Sequence, residues 1–314
     1  MKTLDGFKKG VNLGGWLSQC VHTKEHYDSF ITKKDFENLS SWKIDHVRIP
    51  VDYNLVEDKE GNYLEAGFTY IQNAIDWCRE YKLNMILDLH KTFGYSFDDG
   101  EQESGFFDNE AYQDRFYRLW KCFTDRFAGN SDMLAFELLN EVTAKEYNET
   151  WTKIALKTIS DIRKKSKDIK ILIGGYYNNS VVSVPDLPEI DDENVIYNFH
   201  CYDPLNFTHQ GAPWLKDMPH DFRMPFEESG VNAEYFENLF APALETAAKR
   251  GKILYCGEYG CIDRMNEENA LKWYREIHAI FKKYGIGSAA WSYKRMDFGL
   301  TDDDRRNLVK EIFM

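Results

Sequence analysis

The chain has 314 residues, of which 43% are hydrophobic and 29% charged, enough apolar material for a large core and too much for a disordered polypeptide. A formal net charge of −13 opposes binding to nucleic acid or to an anionic membrane surface, both of which need a basic face, and leaves a neutral substrate open. No stretch reaches the roughly 18 apolar residues a membrane span requires, and the N-terminal MKTLDGFKKGVNLGG lacks an apolar signal core, so a cytoplasmic protein is expected unless a leader was removed.

Short apolar or β-branched runs predict strands at 10–13, 45–51, 84–90, 133–141, 169–177, 194–204, 252–260 and 286–294. Amphipathic stretches between them predict helices, the clearest at 108–127, 151–163, 233–249 and 270–284. In the last, Leu271, Tyr274, His278 and Phe281 recur at three- and four-residue steps and form the expected core stripe. Strands alternating with helices predict an α/β fold, a single-domain (β/α)8 TIM barrel over 1–314, in which a site forms at the C-terminal ends of the strands. The competing open, doubly wound sheet has no support, because no GxGxxG follows the first strand and no GxxxxGK[ST] occurs; no nucleotide or other cofactor is expected.

The longest irregular connection, 205–232, carries His209, Trp214 and His220 and reads as an extended loop lining a cleft. Six cysteines (Cys20, Cys78, Cys122, Cys201, Cys256, Cys261) show no CxxC spacing, so free thiols are expected and no metal site. Cys256 shares strand parity with Glu258, whereas parity turns Cys201 away from the face of His200. Asp302, Asp303 and Asp304 lack the ligand spacing of a calcium loop and read as a solvated cluster opening the last helix.

Glu141 closes FELLNE and Glu258 sits in ILYCGEYG, each after an apolar run. Closure of a barrel would bring both carboxylates to one mouth, and a pair so placed is the minimum machinery for breaking a glycosidic bond.

Around them, GVNLGGWLS, HVRIPVDY, LDLH, FELLNE, YNFHCYDP, FTHQGAPW, YCGEYG and AAWSYK occur in an order that resembles glycoside hydrolase family 5, the cellulase-type family of clan A barrels. The likeness is greatest to bacterial endo-β-glucanases acting on β-1,4 and mixed-linkage β-1,3-1,4 glucans. It implies Glu141 as acid/base and Glu258 as nucleophile, with Asn140 bonding the sugar's 2-hydroxyl. It further implies that Arg48 and Tyr202 bond the nucleophile, that His200 lies beside the acid/base, and that His90 and Trp291 hold the sugar next to the cleaved bond. Trp16, Phe93, Tyr95 and Trp214 are the aromatic candidates for further sugar platforms. The implied reaction is retaining hydrolysis, which needs carboxyl groups about 5–5.5 Å apart. The implied partner is a β-glucan or its oligosaccharide, handled by a monomer. Alternatives are an exo-acting β-1,3-glucanase or β-glucosidase, with 205–232 blocking one end of the cleft, a mannanase, or a carbohydrate-binding protein without catalysis.

Overall fold

The computed structural model describes all residues except 1, 99, 100, 102, 303 and 304, and leaves the side chain of Arg306 aside. Strands β1 (Lys9–Asn12), β2 (His46–Asp52), β3 (Asn84–Lys91), β4 (Leu134–Glu137), β5 (Lys170–Ile173), β6 (Val195–Cys201), β7 (Leu254–Tyr259) and β8 (Gly287–Ala290) pair in parallel, each with the next in sequence. The sheet closes where β8 returns to β1 through Lys9↔Ser288, Gly10↔Ala289 and Val11↔Ala290. The outer layer is α1 (Lys33–Ser40), α2 (Glu65–Tyr81), α3 (Glu110–Phe127), α4 (Asn148–Arg163), α5 (Ala233–Lys249), α6 (Glu267–Tyr284) and α7 (Arg306–Phe313).

The connection from β5 to β6 departs from the alternation, using a 3-10 helix, Val181–Asp186, in place of an α-helix. Three valines restrict χ1 there and Pro185 lacks the amide hydrogen an α-helix would need, so the segment stays short. Strands β4, β5 and β8 are also shorter than their apolar runs. After Glu137 the chain remains extended but bonded to one neighbour at a time, Leu138 N–H to Leu172 O at 3.2 Å and Asn140 N–H to Leu89 O at 3.0 Å, so Glu141 lies beyond the ladder. In α6 the buried set is Ala270, Trp273, Tyr274, Ile277, Ile280 and Phe281; Leu271 and His278 sit at its margin, so the stripe is rotated from the expected one. Asp303 and Asp304 lie outside the described residues, while Asp302 accepts the Arg295 N–H at 2.9 Å and so caps a turn.

Two-residue alternation sorts side chains between the barrel interior and the helical layer. The outer core holds the fully buried Trp16, Trp120, Trp151 and Trp273. The interior floor is a separate apolar cluster of Leu4, Phe7, Ile86, Ala135, Leu172, Ile196, Tyr255 and Ala289. His46 crosses this floor to meet the Tyr255 hydroxyl at 2.6 Å, a contact possible because residue 10 is glycine: a Cβ there would lie 2.3 Å from His46 Nε2. Two residues further along β1, β2, β3, β4 and β6 the interior turns polar, with buried Asn12, Arg48, Asp88, Glu137 and Asn198. Such a layer is costly to desolvate and stable only when its charges are paired and bonded.

Candidate active site

Arg48, fully buried on β2, is the hub of the polar layer. Its Nε and Nη2 donate to the two oxygens of Glu137 at 2.7 and 2.9 Å. Nη2 also bonds Asn140 Oδ1 at 2.8 Å and lies 3.0 Å from Asp88 Oδ2, while Nη1 reaches Asn12 Oδ1 at 2.9 Å and Glu258 Oε1 at 2.7 Å. The planar guanidinium fork thereby fixes one oxygen of Glu258 from below.

Glu258 reaches this position through a bulge in β7. The pairing runs Phe199↔Cys256 and then His200↔Glu258, so Gly257 is an extra residue. A Cβ at Gly257 would come within 2.7 Å of Asn198 Oδ1 and 3.0 Å of His200 Nε2, which reserves the place for glycine. The extra residue breaks strand parity: Cys256 belongs to the outer core while Glu258 enters the mouth, so the expected shared face of these two does not exist. The second oxygen, Oε2, accepts from the Tyr202 hydroxyl at 2.9 Å.

Glu141 faces it from the extended segment that follows β4. Its Oε1 lies 2.8 Å from His200 Nδ1 and its Oε2 accepts from Asn178 Nδ2 at 2.9 Å; its backbone carbonyl accepts from Tyr95 Oη at 2.7 Å. His200 Nδ1 is 3.7 Å from Glu258 Oε2 and stands between the two carboxylates. One polar atom each from Glu141, His200 and Glu258 lies within 4.8 Å of the others; among the described residues this is the group with a spacing that would suit a metal ion. The same spacing suits two carboxylates flanking one anomeric carbon on the retaining pattern.

The pair opens into a cleft of about 750 Å³ whose walls include His90, Phe97, Tyr177, Asn178, Leu205, Trp214, Trp291 and Phe298. Trp291 lies parallel to His90, with ring planes 2° apart and centroids at 5.8 Å, and His90 Nδ1 is held by Asp88 Oδ2 at 2.6 Å. Asn140 Nδ2 is buried with no partner among the described residues, a donor left for a ligand. Trp214 is 49% exposed and, with Leu205, His209 and Leu215, brings the 205–232 segment to the cleft.

Three expected platforms stand elsewhere. Trp16 is fully buried, its indole N–H bonded to Tyr27 O and its ring stacked on Trp77, because the turn after β1 directs it into the outer core. Phe93 packs on Tyr53 and Tyr112 with the Arg115 guanidinium 3.9 Å over its ring, away from the cleft walls. Tyr95 is 6% exposed and spends its hydroxyl on the Glu141 backbone. Sequence reasoning also passed over Asp88, Glu137, Asn12, Asn198 and Asn178. For Asp88 and Glu137 a signal existed: each is a lone charge inside an apolar strand run.

The family profile described as Cellulase (glycosyl hydrolase family 5) matches residues 4–297. The chain belongs to glycosyl hydrolase family 5. Among its relatives, Cellodextrinase A of Ruminococcus flavefaciens is 47% identical over 281 residues, spanning 90% of this chain and 84% of that protein. Endoglucanase C of Acetivibrio thermocellus is 37% identical over 333 residues, spanning 98% and 96%. In three dimensions the fold matches cellulose synthase subunit Z of Clostridioides difficile with a TM-score of 0.84 at 22% identity, covering 98% of this chain and 99% of the other.

In this family 5 site, burial pushes the carboxyls of Glu141 and Glu258 each up to about 7. Glu258 is pulled back toward the ionised form by Arg48 and the Tyr202 hydroxyl, and Glu141 by Asn178 and, from farther off, Arg48. Only Glu258 touches the guanidinium, so a proton shared by the pair settles on Glu141. Burial lowers His200 to about 4 and His90 well below the usual imidazole range, so both are neutral near pH 7 and bond without adding charge. Burial holds Tyr202 well above the usual phenol range, which keeps its hydroxyl a donor.

Proposed function

We propose that Glu258 is the nucleophile and Glu141 the acid/base of a retaining, cellulase-type β-glucanase acting on β-1,4 and mixed-linkage glucans and their oligosaccharides. The observation that carries this reading is the opposed pair itself: oxygens within 4.8 Å, one carboxylate bonded by Arg48, the other in contact with no lysine or arginine among the described residues. Ionised Glu258 attacks the anomeric carbon as Glu141 passes its proton to the departing glycosidic oxygen, giving a covalent glycosyl ester. Esterification removes the negative charge opposite Glu141, its proton affinity falls, and it then takes a proton from the incoming water. Asn140 Nδ2 is available for the sugar's 2-hydroxyl, and His90 with Trp291 forms the flat surface under the ring.

Within β-glucans, the likeness to Cellodextrinase A supports short cello-oligosaccharides as the preferred substrates. The residues around Glu141 and Glu258 come from one barrel, which supports action as a monomer. Digestion of cello-oligosaccharides, barley β-glucan, carboxymethylcellulose, laminarin and glucomannan, with products sized over time, tests the substrate reading. Cleavage of laminarin or mannan in preference to every β-1,4-containing glucan would overturn it, and light scattering showing a stable dimer would overturn the monomer.

A further inference from the structure

Between β5 and the 3-10 helix, Tyr177, Asn178 and Asn179 lie successively in the left-handed region, at φ of 53°, 56° and 54°. An L-residue there costs roughly 1–2 kcal/mol, asparagine tolerating it best, so three in a row persist only where the surroundings hold them. Three contacts do so. The Asn179 side chain is fully buried against Gly174, where a Cβ would lie 2.2 Å from Asn179 Oδ1. The Ser180 N–H closes the turn on the carbonyls of Tyr176 and Tyr177 at 3.2 and 3.1 Å, and the Asn178 N–H donates to Val142 O at 2.9 Å, one residue beyond Glu141.

With its backbone tied to the segment that carries Glu141, Asn178 extends its amide to Glu141 Oε2 at 2.9 Å. Among the described residues no other side chain bonds that oxygen, while His200 takes Oε1. We propose that Asn178 is a positioning residue for the acid/base, the strained turn serving to aim its amide so that the Glu141 carboxylate is held at both oxygens in the plane needed to reach the glycosidic oxygen. The inference rests on Glu141 acting as the acid/base. A donor to Oε2 also favours the ionised carboxylate, which helps Glu141 act as base on water in the second half of the reaction.

Asn178→Gly isolates the amide, because glycine adopts φ near 56° without strain and keeps the backbone bond to Val142. The readout is the pH profile of kcat/KM on cellotetraose beside that on a dinitrophenyl cellobioside, whose leaving group needs no proton. Loss of the donor raises the proton affinity of Glu141, so the alkaline limb on cellotetraose moves up by about half a pH unit or more. On the activated substrate glycosylation needs no proton from Glu141, so its kcat/KM profile lacks that limb and gives the reference against which the shift on cellotetraose is read. Asn178→Asp, which sets a like charge beside Glu141, moves the limb further in the same direction and guards against a fortuitous effect of glycine. An unmoved limb in both variants overturns the inference and leaves the turn a structural one. Glu141→Gln separates the two readings: if it abolishes the alkaline limb while the Asn178 variants leave it in place, Glu141 keeps its role and the inference falls; if Glu141→Gln keeps the limb, both fall.

Discussion

Glu137 clasps Arg48 with both oxygens, at 2.7 and 2.9 Å, and so leaves Arg48 Nη1 aimed at Glu258 2.7 Å away. A carboxylate buried away from the cleft thereby sets the direction of the contact that favours the ionised form of Glu258, the proposed nucleophile.

Breaking this clasp has two separable effects. Glu137→Gln keeps the shape but weakens the pull on the guanidinium, and kcat on cello-oligosaccharides falls by roughly 10- to 100-fold with little change in KM. Arg48→Ala leaves Glu137, Asp88 and Glu258 buried without their cation and destabilises the fold by about 3–5 kcal/mol, read from urea denaturation. Parent-like kcat in Glu137→Gln would show that Arg48 needs no clasp.

The buried acids make stability depend on pH in a stated direction. Asp88, Glu141 and Glu258 are each raised to about 7 by burial, so the folded chain binds their protons more tightly than the unfolded chain. Their contribution is fully present below the ordinary carboxyl range near pH 4 and is lost as pH rises through 7. Asp52 runs the other way: burial raises it, but bonds from His22 and Ser18 and the nearby charge of Lys91 prevail and lower it, so its contribution fades only in stronger acid. The melting temperature should therefore rise as pH falls from 8 to about 5, and Asp88→Asn should flatten that slope. A melting temperature that climbs steadily toward pH 8 would contradict the assignment.

Two tryptophans separate cleft from core. Trp214→Ala, at a half-exposed wall of the cleft, raises KM for longer oligosaccharides several-fold, about 1 kcal/mol of lost stacking, without loss of stability. Trp16→Ala empties a fully buried site and costs about 3–5 kcal/mol of stability while leaving the product pattern unchanged. Chemical denaturation and oligosaccharide kinetics on the same two variants check both statements.

Azide distinguishes the two carboxylates by product. In Glu258→Ala a small external anion replaces the nucleophile and displaces the leaving group directly, giving an α-glycosyl azide. In Glu141→Ala the azide attacks the covalent ester and gives the β-anomer. Proton NMR of the products from an activated cellobioside reads the difference, and exchanged anomers would exchange the roles.

The barrel was legible because apolar strand runs alternate with helices of regular period everywhere but between β5 and β6, and α5 matches its sequence pattern end to end. The carboxylate pair was legible because Glu141 and Glu258 each end an apolar run inside a family motif. What escaped depends on contacts distant in sequence or on backbone irregularity. Nothing local in GWLS distinguishes the buried Trp16 from a platform, since its fate is set by Trp77 and Tyr27. The parity of Cys256 and Glu258 fails through a single inserted glycine, and periodicity counts residues without seeing bulges. Asn178 follows directly on the run 169–177 expected as strand, whose last residue, Tyr177, instead opens a left-handed turn that continues through Asn179.

The most direct test of the central claim is to trap the reaction with dinitrophenyl 2-deoxy-2-fluorocellobioside and locate the label by peptide mass spectrometry. A single fluorocellobiosyl ester on Glu258, released with β-configuration on slow turnover, is the predicted result. A label on Glu141 or release as the α-anomer would contradict it.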